Sequence, residues 1–221
     1  MAIKGLVSAQ CPGKGCESVE VEVWSYIRGD RDAALRESLL AGDLNFVRCE
    51  TCGSMFSPEA TVVYYDPSRM LLAFIFPESY RGEEERWRGK MSEDYSKMRS
   101  ILGTEVLTAG EPLLFFGLAE ASRQMNDEED LEDEVKVAEY LCGELGLKVR
   151  SVERSYARLR DLPRILPYAP PAKSGEAARE DVLAGLMRLL KANDRLAGFR
   201  RWLALLGESD VLPPVGRENV A

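Results

Sequence analysis

The cysteines constrain this chain most, because four of them form two pairs in a sequence without histidine. Cys11 and Cys16 have four residues between them, and Cys49 and Cys52 have two. Two short loops that each offer a cysteine pair are a common way to build a tetrahedral zinc site. The lack of imidazole excludes mixed Cys/His zinc fingers, HExxH sites and Ser-His-Asp or Cys-His catalysis. The sequence therefore predicts that Cys11, Cys16, Cys49 and Cys52 bind one Zn²⁺.

The two cysteine pairs differ in their local sequence. In Cys49-Glu-Thr-Cys52 the short spacing forms a tight turn, and the following Gly53 can take a positive φ that directs backbone amides at sulfur. The first loop, Cys-Pro-Gly-Lys-Gly-Cys, is two residues longer but rich in turn formers. A disulfide and unliganded core thiols remain open alternatives. The fifth cysteine, Cys142, lies in an apolar helical pattern and is expected to be buried and unreactive.

Strand and helix patterns alternate along the chain. Period-2 or continuous apolar patterns predict strands over residues 19–27, 45–48, 60–65, 70–76 and 104–107. Three- and four-residue spacings predict helices over residues 35–41, 82–102, 113–124, 149–159 and 179–207, the last with a break at Asn193-Asp194. The prediction is an α+β fold, in which a small antiparallel sheet carries a zinc-ribbon-like four-cysteine knuckle. Helices flank the sheet, and a helical appendage follows at the C-terminus.

Prolines mark the clearest boundary in the sequence. Four of them, with Lys-Ser-Gly, fall between positions 163 and 175, where they interrupt regular structure. We therefore predict a zinc-binding α+β domain over residues 1–165, a proline-rich linker over residues 166–178 and an amphipathic helical segment over residues 179–207.

Charge is divided unevenly along the chain. Residues 1–147 carry 15 basic and 28 acidic side chains, whereas residues 148–221 carry 14 and 9. The basic end is expected to dock on the acidic body or to contact an acidic partner.

Seven of the eight residues 127–134 are acidic, and we expect them at the N-terminal end of a helix, where the helix dipole favours negative charge. A cation- or partner-binding acidic loop is the alternative, although the run lacks calcium-loop spacing.

The sequence resembles the CpXC-domain proteins, a bacterial and archaeal family named for two Cys-Pro-x-Cys motifs. The resemblance lies in residues 19–24, 35–45, 49–53, 64–67 and 76–77, with a weaker match over 118–141. It implies that the four paired cysteines are the family's metal-binding cysteines. Here the first motif is longer, and Glu50 stands where the family has proline. These prolines form turns and are not ligands.

These features favour a non-catalytic protein over an enzyme. Four thiolates leave no open position on zinc for a substrate, so we expect a zinc-stabilised interaction or adaptor protein. It would contact another protein, or a second copy, through the C-terminal helical segment or the acidic surface. The alternatives are a nucleic-acid-binding or transcription-associated zinc ribbon and, less favoured, a zinc- or carboxylate-dependent hydrolase. No segment has the length of a membrane span or a secretory leader, and we expect a cytoplasmic location.

Overall fold

The structure, a computed structural model, describes residues 2–102, 111–170, 179–209 and 211–216. Contacts divide the chain into two compact units, Met1–Met125 and Asn126–Ala221. This division falls at a different place from the domain limits predicted above, and most of the predicted linker lies outside the described residues. Those limits stay a prediction. Within the described ranges, no helix has both the length and the apolar character needed to cross a membrane.

The first unit contains a five-stranded sheet and a separate two-stranded ribbon. The strands of the sheet are β1 (Ile3–Gln10), β2 (Ser18–Arg28), β5 (Val62–Asp66), β6 (Leu71–Phe76) and β7 (Leu113–Phe116), in the spatial order β1-β2-β5-β6-β7. The ribbon pairs β3 (Val47–Arg48) with β4 (Met55–Phe56). The helices of the first unit are α1 (Ala33–Ala41), α2 (Glu84–Leu102) and the first turns of α3 (Leu118–Leu145).

The sheet is mixed, so the prediction that its strands are all antiparallel is wrong. The pairs β1–β2 and β5–β6 are antiparallel, whereas β2–β5 and β6–β7 are parallel. Parallel neighbours need a long crossover connection. The connection from β2 to β5 contains α1 and the ribbon, and the connection from β6 to β7 contains α2. A mixed architecture of α-helices and a small β-sheet is confirmed.

The hairpin β5–β6 is the centre of this unit, as its apolar sequence predicts. Its side chains alternate between the two faces of the sheet. Tyr64 and Ile75 belong to the core cluster that includes α1 and the start of α3, whereas Tyr65 and Phe74 pack with α2. At the turn, Asp66 accepts hydrogen bonds from the Ser68 hydroxyl at 2.5 Å and from the Arg69 amide at 3.2 Å.

Several predicted elements need correction or lie outside the described residues. Residues 113–124 are not one helix, because Leu113–Phe116 pairs with β6 and the helix begins at Leu118. Strand β1 was not predicted, since its apolar residues do not alternate regularly with polar ones. Helix α1 ends at Gly42 as predicted, with φ +75° at this glycine. The strand predicted over residues 104–107 lies outside the described residues.

The second unit is built around one apolar core. Its elements are the remainder of α3, β8 (Lys148–Ser151), α4 (Arg154–Arg158), β9 (Ile165–Tyr168), α5 (Arg179–Ala192) and α6 (Ala197–Glu208). The helix predicted over residues 149–159 is therefore partly strand, because β8 pairs antiparallel with β9. The predicted break at Asn193-Asp194 is confirmed. Phe199 and Trp202 are fully buried in the shared core, and the indole N–H of Trp202 donates to the Pro163 carbonyl at 2.8 Å.

The acidic run lies in the middle of α3, so its predicted position at a helix N-terminus is wrong. The helix begins nine residues before the run, at Leu118. Instead of interacting with a helix dipole at that end, Glu128 pairs with Arg158 and Glu132 pairs with Arg164. Glu134 accepts from the backbone amides of Ala197 and Gly198, at 3.0 and 2.8 Å, and so caps α6. Basic residues after position 147 thus pair with the acidic run, as the charge division predicts.

Candidate metal centre

The first cysteine pair lies in the loop of the β1–β2 hairpin. Gln10 pairs with Ser18 as the last register pair of the two strands, so Cys11 and Cys16 are brought together across the loop. The Gln10 side chain donates to the Cys16 carbonyl at 3.0 Å, and the Cys16 amide donates to the Gly13 carbonyl at 3.4 Å. The two extra residues of this motif are accommodated because the strands, rather than a tight turn, set the separation of the cysteines.

The second pair lies in the tight connection between β3 and β4. The Gly53 amide donates to the Cys49 carbonyl at 2.8 Å, and the Cys49 amide donates to the Ser54 carbonyl at 2.9 Å. Gly53 has φ +74°, a conformation that glycine adopts without steric cost. The positive φ predicted from the sequence is confirmed, and the turn directs the thiols of Cys49 and Cys52 to the same side.

The two loops bring all four predicted cysteines together. Their Sγ atoms all lie within 4.8 Å of one another. The Cys11–Cys52 and Cys16–Cys49 pairs are 3.5 and 3.8 Å apart. Tetrahedral zinc with Zn–S bonds of about 2.3 Å requires sulfur–sulfur separations of about 3.8 Å. The cluster can therefore hold a metal ion, although metal binding by these residues stays a prediction.

Gly13 forms part of the wall around the sulfurs. A Cβ atom at this position would lie 2.9 Å from the Sγ of Cys52, 3.2 Å from that of Cys16 and 3.4 Å from that of Cys11. Carbon–sulfur approaches this short leave no room for a side chain. The Gly13 amide also donates to the Cys11 Sγ at 3.3 Å. The backbone at Gly13 thus closes over three of the four sulfurs.

Hydrogen bonds and burial shift the pKa values of the four thiols in different directions. The Ser54 hydroxyl and amide donate to Cys52 and lower the pKa of its thiol to about 6. The Cys52 amide likewise lowers the pKa of Cys49. A hydrogen bond with Cys52, followed by burial, raises the pKa of Cys16 to about 12. At neutral pH the Cys52 thiol therefore favours the thiolate form, while the Cys16 thiol keeps its proton unless a cation balances the shared negative charge.

The cluster is partly enclosed by apolar side chains. Cys11 and Cys49 are buried, Cys16 is half-buried and Cys52 is exposed. Ala9 and Phe56 complete the buried part of this small core. The alternative of a disulfide does not fit this arrangement, because all four cysteines are free and the Cys11–Cys52 and Cys16–Cys49 sulfurs are 3.5 and 3.8 Å apart, whereas a disulfide requires about 2.05 Å.

Cys142 lies apart from this cluster, in the core of the second unit. Its exposed fraction is 2%, and burial raises the pKa of its thiol to about 11. The prediction of a buried thiol is confirmed. A thiol with this pKa is almost fully protonated at neutral pH, which makes it a poor nucleophile.

Two residues of the site were missed in the sequence. Gly13 was identified only as a turn former, and its close approach to three sulfurs depends on how the two loops meet. Ser54 was not singled out, although it follows the Cys-x-x-Cys-Gly turn directly and donates to Cys52. A small hydroxyl residue two positions after a cysteine is a usable signal, because its amide and its hydroxyl can both reach the sulfur.

Comparison with known proteins identifies the family. The family model described as CpXC protein matches residues 9–143. No curated protein and no solved structure is significantly similar to the chain. The family match spans more than half of the chain and includes all four clustered cysteines. The chain therefore belongs to the CpXC family.

Proposed function

We propose that the four thiols hold one structural Zn²⁺ ion in a zinc-ribbon-like site. The observation that carries this proposal is the set of four Sγ atoms within 4.8 Å, offered by two loops. Thiolate ligands suit zinc, which accepts four of them in a tetrahedron. Cys11 and Cys16 would tie the β1–β2 loop to the β3–β4 turn through Cys49 and Cys52. When bound, the metal supplies a cross-link between these loops and balances the thiolate charge.

We place this site in a non-catalytic protein that works by contacting another protein in the cytoplasm. Four protein ligands fill a tetrahedral zinc ion and leave no position for water or substrate. The zinc-dependent form of the hydrolase alternative requires one of Cys11 and Cys16 to stay away from the metal, and both lie in the cluster. A reducing compartment suits the free thiols.

The acidic surface of α3 is the stronger candidate for the contact. The exposed residues Asp127, Asp130 and Asp133 lie three positions apart on α3, and Tyr140 further along is 69% exposed. The C-terminal helical segment uses its apolar side chains, among them Phe199, in its own core. We therefore assign the contact to the acidic face, and a basic surface on the partner fits it.

The nucleic-acid alternative depends on the arginines that follow position 147. Arg158 and Arg164 are each paired with a carboxylate of α3, and Arg150 donates to the Pro213 carbonyl at 2.9 Å. Cations already paired within the protein contribute little to phosphate binding. This observation favours the protein-contact role.

Metal analysis of the purified full-length chain tests the zinc site. We expect one zinc per chain, lost in Cys49→Ser and kept in the matched control Cys142→Ala. Metal-free protein with the stability of the untreated protein would contradict the proposal.

Affinity capture compared between the parent and a triple Asp127/Asp130/Asp133→Asn variant tests the contact. We expect a co-purifying protein that the variant loses and that elutes as salt is raised. An unchanged set of captured proteins would contradict the assignment of the acidic face.

A further inference from the structure

The outer edge of β1 is an open edge of the five-stranded sheet. In the spatial order β1-β2-β5-β6-β7, β1 pairs only with β2 among the described residues. An unpaired edge presents a row of backbone N–H and C=O groups that can pair with another strand. β1 has eight residues, whereas β7 at the opposite end of the sheet has four. The proposed zinc-site and protein-contact roles do not use the edge of β1.

Strand β1 lacks most of the features that protect an edge. Proteins commonly protect such strands with proline, with bulges or with charged side chains, lysine above all. β1 contains no proline, and the one irregularity in its pairing with β2 lies at its start, between Ile3 and Lys4. The ammonium of Lys4 turns toward β2, where it donates to Glu22 at 3.1 Å and lies 4.8 Å from the centre of the Trp24 ring. The one charge on the strand is therefore balanced within the hairpin.

β1 also exposes apolar side chains. Leu6, near the middle of the strand, is 70% exposed, and Ile3 is 54% exposed. Backbone groups that can pair and apolar side chains that can be buried thus occur on the same strand. Addition of a strand to a sheet uses both, because main-chain hydrogen bonds give affinity and the side chains determine which strand is accepted.

The charges of the β1–β2 hairpin favour a second copy of the chain in antiparallel orientation. Lys4, Leu6 and Ser8 alternate along β1 and therefore share one face. Ser8 is paired with the exposed Glu20 on β2. If two copies pair antiparallel about Leu6, Lys4 of each copy lies opposite Ser8 of the other. The next strand at that level carries Glu20 of the other copy, whereas parallel pairing would place the two Lys4 side chains side by side.

The spacing of strands in a sheet allows this arrangement. Neighbouring strands lie about 4.8 Å apart, so the backbones of Lys4 and of Glu20 in the other copy would be about 10 Å apart. The two side chains together can span that distance. The two Leu6 side chains would meet at about 5 Å across the two-fold axis. Residues 3–9 of both copies would form about six to eight backbone hydrogen bonds.

We propose that β1 pairs with β1 of a second copy of this chain, antiparallel, with Leu6 at the two-fold axis. The two sheets then form one continuous sheet. Two-fold symmetry closes the assembly at two chains, because each copy uses the same edge. One strand pair is smaller than a standard protein interface, so the dimer is weak and reversible.

Sedimentation equilibrium of the full-length protein over a range of concentrations tests this proposal. We expect a monomer–dimer equilibrium with a dissociation constant on the order of 10 to 100 μM. Leu6→Lys puts two like charges opposite each other at the axis and should raise this constant about tenfold or more. The matched control is Leu159→Lys, the same change at a leucine of the second unit that is 80% exposed. It should leave the dissociation constant unchanged.

Glu20→Lys tests the antiparallel register. The substitution replaces attraction to Lys4 of the other copy by repulsion, and it should raise the dissociation constant about threefold at low salt. The difference should disappear at high salt, because exposed charges are screened. Hydrogen exchange locates the contact, since amides of residues 3–9 that point away from β2 should exchange more slowly at high protein concentration.

Thermal unfolding shows whether each variant stays folded. Should Leu6→Lys not fold, Glu20→Lys at its exposed position still decides. A chain that stays monomeric up to about 1 mM would overturn the proposal, and so would one whose β1 edge is covered by a different protein. Equal effects of Leu6→Lys and Leu159→Lys, or unchanged association of Glu20→Lys at low salt, would also overturn it.

Discussion

The cysteine cluster of the first unit and the arginine–glutamate pairs of the second unit both join residues far apart in the chain. Cys11 and Cys52 are 41 positions apart, and Arg158 and Glu128 are 30 apart. Only the cysteine cluster could be predicted residue by residue from the sequence, whereas the charge division predicted pairing of the basic end without naming the partners. Four of the chain's five cysteines occur as close pairs, whereas 30% of all residues are charged. A scarce residue type in a regular spacing identifies its partners, and an abundant one does not.

Cys49→Ser should produce the largest effect, because it removes a ligand from a site with few other contacts to hold it. The buried core around the cysteines is small, so the loops depend on the metal for their order. We expect loss of zinc and a destabilisation on the order of 5 kcal/mol, beyond the range of most substitutions. Metal analysis and thermal unfolding measure these outcomes.

Hydrogen exchange shows where the effect of Cys49→Ser lies. The amides of Cys49 and Gly53, which are hydrogen-bonded within the turn, should exchange much faster in the variant. Amides of the second unit should be unaffected. Equally faster exchange in both units would contradict this expectation, since it would show that the zinc site stabilises the entire chain.

Glu128→Gln tests whether the acidic run is held by specific pairs. The substitution keeps the shape of the side chain but removes the charge that Arg158 engages through two hydrogen bonds. Because both side chains are largely buried, we expect a loss of about 2 to 3 kcal/mol. Denaturant unfolding at low and high salt measures it. A cost below about 0.5 kcal/mol would mean that this pair is solvated as surface pairs are.

The position of the acidic run explains which parts of the fold could be predicted. The run was assigned to a helix start because its carboxylates suit a helix dipole, but their partners are Arg158, Arg164 and the start of α6. Tertiary contacts of this kind leave no local pattern. The hairpin β5–β6 was predicted because its apolar residues and the Asp-Pro-Ser turn are themselves local.

Strand β7 shows the same limit in the sheet. Leu113–Phe116 is a run of four apolar residues, which periodicity alone does not distinguish from the start of a helix. Its parallel pairing with β6 identifies it as a strand. Parallel pairing was also missed, because strand direction depends on the long connections through α1 and α2 rather than on the strands themselves.

Glu134→Gln should have an intermediate effect. Glu134 accepts from two backbone amides at the start of α6, where Leu196 at the N-cap position has no side chain that can accept a hydrogen bond. The amide oxygen of glutamine can still accept one bond but carries no charge to interact with the helix dipole. We expect a loss of about 1 kcal/mol. Thermal unfolding checks this value, and Glu134→Ala should cost more because it removes both bonds.

Asp133→Asn should have the smallest effect, although it neutralises the residue directly before Glu134. Asp133 pairs with Lys136 at 2.8 Å, but the two side chains are 74% and 73% exposed. Solvent screens such pairs, and their measured contribution is small. We expect the free energy of unfolding to change by less than about 0.5 kcal/mol, measured beside Glu134→Gln under the same conditions. A larger loss would show that net charge along α3, rather than individual contacts, stabilises the second unit. Equal and small effects of both substitutions would show that capping by Glu134 contributes little.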